Sequence, residues 1–555
     1  MAGALSARLF EFLLLICQKT FLGRIAGYHL TSTGSLLLPP SGIHRVWLIP
    51  VSTTLGGLLA GVLVYTLAPE AEGHGTDTVV FAFHRLRGVI RTPVPIVKLV
   101  ASALTIGSGG AAGREGPTAL ITAGAASLYA RKRGRSEAET RLLLLVGMTA
   151  GLSAIFRSPM GTAIFGIEVL YGQAEFESGA LVYTMLASIV AYAVNGLFVG
   201  FQPLFNVPAS VPAPGPVDFV WYLVLGLACG VAATILPVAL YRVRDLFRLI
   251  ACPRHFKPAI GGLAVGLLAV LFPQLVGGGY GWIQQAIDGG IAARTMLVLG
   301  LTKILAFAFT IGSGGSGGVF APSLFTGAML GGYFGAILHQ PVAAFAAVGM
   351  GAVFGGAARA PIATILMVTE MTGGYQFLVP ASLAVIVSYL VQGVLSKPLK
   401  YRSLYEAQVP VRADSPAHYA EEVRAALVLL RQEGGSTVLE GQGLELIPLL
   451  SSGVPMCLGD GQNLRIGVLR GDSPCIGQPP GCFAAKGDVP ELILTIRGDE
   501  ILRPHPELRL AAGDRLVMLG TDAEWARMGE DLQPKEDSNG SLPEDSVSDG
   551  FLRRQ

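Results

Sequence analysis

Charge is scarce in this sequence: Asp, Glu, Lys and Arg make up 14% of its 555 residues, against 51% hydrophobic, and mean hydropathy is +0.56. A soluble domain carries about 25% charged residues, so this balance excludes an ordinary soluble globule and implies a chain embedded in a bilayer. The formal net charge of +2 gives no reason to expect a nucleic-acid partner. Cysteines are few (Cys17, Cys229, Cys252, Cys457, Cys475 and Cys482) and none forms a CxxC pair, so neither a zinc site nor a disulfide framework is indicated. There is no P-loop, no His/Asp/Glu cluster at metal spacing and no nucleophile with a base in sequence reach. The chain therefore does not read as an enzyme, and no metal or cofactor is expected.

Long uninterrupted apolar runs are also missing. Runs lie near 47–66, 96–106, 143–155, 180–199, 219–239, 259–274, 296–311, 341–353 and 379–395. Several fall below about 18 residues, too short to cross a bilayer upright. Gly and Pro interrupt them, which predicts tilted, broken or re-entrant helices around a polar cavity, because irregular backbone is not tolerated against lipid. The 73 glycines suit helices that pack closely. Basic clusters at Arg131–Arg135, Arg242–Lys257 and Lys397–Arg402 predict a cytoplasmic face at each, and a cytoplasmic location for everything after 402. Leu9–Cys17 is apolar with no small-residue cleavage site, so the first residues read as a membrane helix rather than a signal peptide.

What the chain does have is a sentence written twice. Thr105-Ile106-Gly107-Ser108-Gly109-Gly110 recurs as Thr310-Ile311-Gly312-Ser313-Gly314-Gly315, 205 residues later, and at that offset Gly113 matches Gly318 and Pro117 matches Pro322. Gly147, Met148, Ala150, Arg157, Pro159, Thr162 and Glu168 match Gly349, Met350, Ala352, Arg359, Pro361, Thr364 and Glu370, 202 residues apart. A repeat this long is no solenoid; in a hydrophobic chain it reads as a duplicated bundle with its substrate held where the halves meet. The repeated Arg157/Arg359 and Glu168/Glu370 read as intramembrane structural pairs rather than transport ligands.

The repeated block also predicts chemistry. Gly113-Arg114-Glu115-Gly116-Pro117 precedes a helical run from Thr118 to Tyr129, and Gly318-Val319-Phe320-Ala321-Pro322 precedes one from Ser323 to Leu338. Proline suits a first helical turn, and the glycines let free backbone N–H groups turn inward. Two such helix starts converging near the bilayer midplane would present positive dipole ends to an anion without a full charge that would trap it.

These two stretches resemble the paired signatures of the CLC family of chloride channels and chloride/proton antiporters, over roughly residues 45–410. The resemblance implies an all-α membrane domain (1–405) built as an inverted-repeat bundle of tilted, broken helices, with repeats at about 45–200 and 215–395. It implies a homodimer with one pore per subunit in a lipid bilayer, with chloride as the transported ligand. The setting would be a multi-pass protein of a prokaryotic inner membrane. Carried over by position, Glu115 resembles the gating glutamate. The chloride-binding set becomes His74, Gly75, Arg114, Gly116, Gly318, Val319, Phe320, Ala321 and Tyr405. Tyr401, four residues earlier, is the alternative to Tyr405. Lys400 and Arg402 would make the mouth basic. Family members usually carry more than one membrane helix before position 47, so either that helix is dispensable or the true start lies upstream.

Two departures qualify the resemblance. Gly73-His74-Gly75-Thr76-Asp77 stands where the family has Gly-Ser-Gly-Ile-Pro, so an imidazole replaces the serine that binds the central chloride. Val169, after Ile167-Glu168, occupies the place of the inner proton-carrying glutamate. Valine cannot shuttle a proton, which favours a passive, Glu115-gated channel over a chloride/proton antiporter. A cation transporter or a membrane enzyme is the remote alternative.

After about 406 charges become frequent and apolar runs shorten to strand length, at Ser436–Leu439, Leu464–Leu469, Leu492–Ile496 and Arg515–Leu519. This predicts a small α+β cytoplasmic module over 406–530, long enough for its own core. Its last part, with Arg497, Gly513 and Asp514, resembles the TrkA-C (RCK-like) subdomain of potassium-uptake regulators. Either ligand-dependent regulation, by a small ligand the sequence does not identify, or a solubilising, dimer-stabilising appendage is implied. Residues 415–434 read as an amphipathic linking helix, and 531–555 as a disordered tail.

Overall fold

The computed structural model describes residues 1–27, 45–208, 211–212, 214–418, 456–459, 462–486, 489–497, 500–502, 504–528 and 532–533. The chain divides into two compact units, 1–415 and 416–555.

The first unit is helical. Its first half contains α1 (Ala2–Gln18), α2 (Ile49–Leu67), α3 (Thr76–Arg85), α4 (Pro93–Gly107), α5 (Glu115–Lys132), α6 (Glu137–Phe156), α7 (Pro159–Glu168) and α8 (Leu181–Val199). The second contains α9 (Asp218–Leu249), α10 (Lys257–Leu271), α11 (Tyr280–Ile287), α12 (Ala293–Gly312), α13 (Phe320–Ile337), α14 (Val342–Ala358), α15 (Pro361–Thr372) and α16 (Leu378–Ser396). Among the described residues eight helical segments are long and apolar enough to cross a membrane, while α4, α14 and α15 are apolar but shorter. Prolines occupy the first turn of α2, α4, α7, α10 and α15, where a missing N–H costs no helical bond. Glycine lets helices touch: a Cβ on Gly327 of α13 would lie 2.2 Å from the Gly349 carbonyl of α14, and one on Gly349 would lie 2.3 Å from the Gly327 carbonyl.

The duplication seen in the sequence is a duplication in space, and it is inverted. The Glu168 carboxylate at the end of α7 accepts from Ile362 N (3.1 Å) and Ala363 N (2.7 Å) at the start of α15. Glu370, near the end of α15, accepts in return from Met160 N (3.1 Å), Gly161 N (2.9 Å) and the Ser158 hydroxyl (2.5 Å) at the start of α7. Each helix thus caps the other's N-terminus, which requires the two to run antiparallel. Arg157 and Arg359 close α6 and α14 in matching left-handed conformations, with φ of 54° and 56°. The structural reading of these residues therefore stands, but their partners differ from an Arg–Glu pairing. Arg157 donates to the Gln202 carbonyl, and Arg359 to the Gly172 carbonyl and Gln392 Oε1. The sequence shows which residues recur, not that each glutamate reaches the opposite half's backbone.

The second unit holds an antiparallel sheet of β1 (Met456–Gly459), β2 (Gln462–Leu469), β3 (Glu491–Arg497), β4 (Glu500–Leu502), β5 (Arg515–Thr521) and β6 (Leu532–Gln533), with α17 (Asp522–Arg527) after β5. Strand order is β1-β2-β5-β3-β4, and β6 pairs with β2. Leu516, Met518, Trp525 and Leu532 build its core. Asp514 is buried and accepts from Arg497 at 2.8 Å through both oxygens and from Ala511 N at 2.8 Å, so the charged turn and the Gly-Asp turn are one structural unit. Cys475 and Cys482 form a disulfide, with Cα atoms 5.9 Å apart, contrary to the expectation from the absent CxxC motif. The chain between them turns back on itself, which a spacing rule does not register. The expected strand at 436–439, most of the linking helix at 415–434 and most of the tail expected over 531–555 lie outside the described residues; Leu532 and Gln533, inside that tail, are ordered instead as β6 by pairing with β2.

Glu168→Ala leaves two backbone N–H groups at the start of α15 without their acceptor, at a cost on the order of 3 kcal/mol. A lower thermal unfolding midpoint in detergent is expected; an unchanged midpoint would show that the reciprocal caps contribute nothing.

Candidate functional site

The two glycine signatures are hydrogen-bonded to each other. Gly113 N donates to the Gly318 carbonyl (2.8 Å) and Gly318 N to the Gly113 carbonyl (2.6 Å). Beside them Gly73 N donates to the Gly315 carbonyl and Gly317 N to the Gly73 carbonyl, both at 3.1 Å. The starts of α5 and α13 thereby meet inside the bundle, with Glu115, Gly116, Val319, Phe320 and Ala321 all buried. Gly318 spends its N–H on Gly113, so the donors left at that signature are those of the following helix start, whose first N–H groups have no intrahelical acceptor.

Around this junction buried polar atoms are left without a protein partner. They include His74 Nδ1, Thr76 Oγ1, Glu115 Oε2 and the Tyr405 hydroxyl. The His74 ring meets the Tyr405 ring edge-on at 5.4 Å, and Phe165 lies 6.4 Å from Tyr405 and 4.9 Å from Phe320. The Glu115 side chain folds back over its own helix start: a Cβ on Gly113 would fall 2.1 Å from Glu115 Oε2. Burying unsatisfied polar atoms is costly unless a ligand completes them, and the two hydroxyls, with His74 Nδ1 in its protonated tautomer, can donate to an acceptor. An anion the size of a halide supplies it.

Several expected residues sit differently from a simple liganding role. The Arg114 guanidinium bonds to Glu11 of α1 and lies 3.8 Å from Glu115, so it is the backbone of Arg114, not its side chain, that belongs to the helix start. Gly75 has φ of +83°, which only glycine adopts freely, and a Cβ there would lie 2.7 Å from the Gly116 carbonyl. Tyr401 is tied to Asp245 by a 2.5 Å hydrogen bond, whereas the Tyr405 hydroxyl stays unpartnered. Lys400 and Tyr401, with Arg242 and Asp245, line a separate cavity of about 420 Å³ at the end of α9. Val169 is fully buried among apolar side chains.

Sequence reasoning missed Thr76, Tyr280, Lys98 and Lys303. Lys98 Nζ donates to the Ala71 (3.0 Å) and Gly73 (2.7 Å) carbonyls, and Lys303 Nζ to the Leu275 and Gly277 carbonyls, both at 2.7 Å. The two lysines share the 205-residue offset of the glycine block, which would have found them.

Two inverted helical halves that join their glycine-flanked helix starts inside a bilayer define a duplicated ion-transport protein. Residues 56–393 match the family model for voltage gated chloride channels, and the chain belongs to this CLC family of anion channels and transporters. It is 31% identical over 366 residues to a putative chloride channel protein, ClcB-like, of Ralstonia nicotianae, covering 64% of this chain and 85% of that protein. It is 33% identical over 374 residues to the H(+)/Cl(-) exchange transporter ClcA of Salmonella arizonae, covering 64% of this chain and 78% of that protein. The fold is shared with the crystal structure of a slow cyanobacterial Cl-/H+ antiporter, at TM-score 0.63 and 22% identity over 73% of this chain and 94% of that one. A CLC-type fluoride/proton antiporter aligns at TM-score 0.61 and 24% identity, over 73% and 95%.

A Cβ at Gly116 would lie 2.0 Å from the His74 carbonyl, an approach that backbone cannot relieve by rotating a side chain. Gly116→Ala is expected to displace the His74 loop and lower chloride efflux from liposomes by roughly tenfold or more, the effect of about 1.4 kcal/mol at the site. Parental efflux from this variant would contradict the junction described above.

Proposed function

We propose that the chain carries chloride passively through a pore whose outer position is plugged by the Glu115 carboxylate. The observation that carries this reading is the Glu115 side chain folded over the joined helix starts, next to His74 and Tyr405 with polar atoms awaiting a partner. A carboxylate and a chloride compete for the same N–H groups, so withdrawal of one admits the other. His74 and the Tyr405 hydroxyl form the inner position, with Val319, Phe320 and Ala321 contributing backbone donors. His74 in place of serine makes anion selectivity a property of an imidazole here.

Passive flow is favoured because Val169 offers no proton-carrying group. Exchange is the second reading, supported by the relatives named as proton-coupled exchangers or antiporters. The homodimer, the inner-membrane location with a cytoplasmic C-terminus, and a TrkA-C-like regulatory role for 406–530 belong to the same proposal.

Glu115→Gln should raise chloride efflux and make it constitutive. Unaltered efflux would remove Glu115 from the gate. With the parent protein in a planar bilayer under crossed chloride and pH gradients, the reversal potential should follow chloride alone. Stoichiometric uphill proton movement would instead establish exchange.

A further inference from the structure

Glu115 has a partner that the helix starts do not supply. The Tyr280 hydroxyl, at the beginning of α11, donates to Glu115 Oε1, and both side chains are buried. We propose that Tyr280 is a latch for the gate: a positioning residue whose hydroxyl holds the Glu115 carboxylate in its seated position. This rests on the reading of Glu115 as the plug.

Three features fix the phenol where it is. Its ring stacks on Phe205 at 5.9 Å with an interplanar angle of 21°. The Arg114 guanidinium lies 5.2 Å from the ring centroid, held in turn by Glu11. The loop ahead of it, Gly277–Gly279, takes positive φ values of +64° at Gly277 and +79° at Gly279. Lys303 pins that loop through the Leu275 and Gly277 carbonyls.

The same device exists in the other half. Gly73 and Gly75 have φ of +69° and +83°, Lys98 pins that loop through the Ala71 and Gly73 carbonyls, and the loop leads into α3. There the pinned loop offers His74 to the Tyr405 side of the junction. Its counterpart leads into α11 and offers Tyr280 to the glutamate. The fold thus aims two lysine-pinned loops at one junction, one toward the inner position and one toward the plug. On the carboxylate itself the division is clear: Oε1 takes the phenol, Oε2 has no protein partner, and Arg114 Nε stands 3.8 Å away. A phenol donating to a buried carboxylate strengthens the seated form against the withdrawn one.

The test is a double-mutant cycle on chloride efflux from liposomes, using the full chain. Tyr280→Phe keeps the ring, its stack on Phe205 and the cation–π contact, and removes only the donor. It is expected to raise efflux roughly tenfold, the scale of one hydrogen bond to a buried charge. In the Glu115→Ala background the same substitution should change nothing, because there is no carboxylate to hold. If Tyr280→Phe leaves efflux at the parental rate, or shifts it by the same factor in both backgrounds, Tyr280 is packing and the latch is refuted. If Glu115→Ala itself leaves efflux at the parental rate, the plug reading fails and takes the latch with it, a result separable from the previous two. Should Tyr280→Phe fail to elute as folded protein, a fluorotyrosine at position 280 retains the shape and strengthens the donor. Efflux below the parental rate supports the latch, and parental or faster efflux refutes it.

Discussion

The reciprocal hydrogen bonds between Gly113 and Gly318 carry the architecture. Within hydrocarbon a helix start is expensive, because its first N–H groups face no acceptor and lipid offers none. Here two such starts are brought nose to nose, and the irregular backbone ahead of each satisfies that of the other. Side chains would forbid this: a Cβ on Gly318 would lie 2.9 Å from Gly116 N. Glycine at these positions is therefore a packing requirement before it is a functional one. In the proposed function, what the pairing leaves over matters most, namely the first N–H groups of α5 and α13, which have no intrahelical acceptor.

The reciprocal caps of α7 and α15 repeat the same logic at the other level of the bundle. There the orphan N–H groups are satisfied by glutamates, Glu168 and Glu370, delivered from the opposite half. At the glycine junction the carboxylate at hand is Glu115, which is covalently part of its own helix start and bonds through Oε1 to Tyr280. A carboxylate delivered from another helix is fixed by its own backbone. One that folds back from its own first turn can swing away through side-chain rotation alone. In the proposed function the duplicated halves thus use a glutamate in two ways, as mortar at α7 and α15 and as plug at the glycine junction.

Much of this was legible in the sequence because it is written in residues with few roles. The 205- and 202-residue offsets predict duplicated halves, and the glycines and prolines around Glu115 and Phe320 predict two converging helix starts, although α5 and α13 begin at Glu115 and Phe320, three residues ahead of the runs expected from Thr118 and Ser323. The nine apolar runs each find a helix. What escaped was short or long-range. Helices α3, α7, α11 and α15 have 8 to 12 residues, below the length at which hydropathy separates a membrane helix from a buried turn. Tyr280 escaped because nothing within its own stretch of sequence indicates that its hydroxyl will meet a carboxylate 165 positions away. The Cys475–Cys482 bridge escaped because its spacing matches no motif, although the turn between the two cysteines brings them together.

Exchange needs a titratable group that can take a proton from the inner side and remain free to release it. Val169 is apolar and fully buried, and the adjacent Glu168 is already committed, both oxygens accepting from the start of α15. Gln408, which donates to the Val169 and Ala358 carbonyls, closes the backbone behind that position with an amide that does not titrate. Val169 and Gln408 therefore put no ionisable side chain at this one position. That absence at position 169 is what favours the passive reading proposed above. On the His74 side of the junction two hydroxyls, those of Thr76 and Tyr405, are left without a hydrogen-bond partner, so neither fixes a path for a proton.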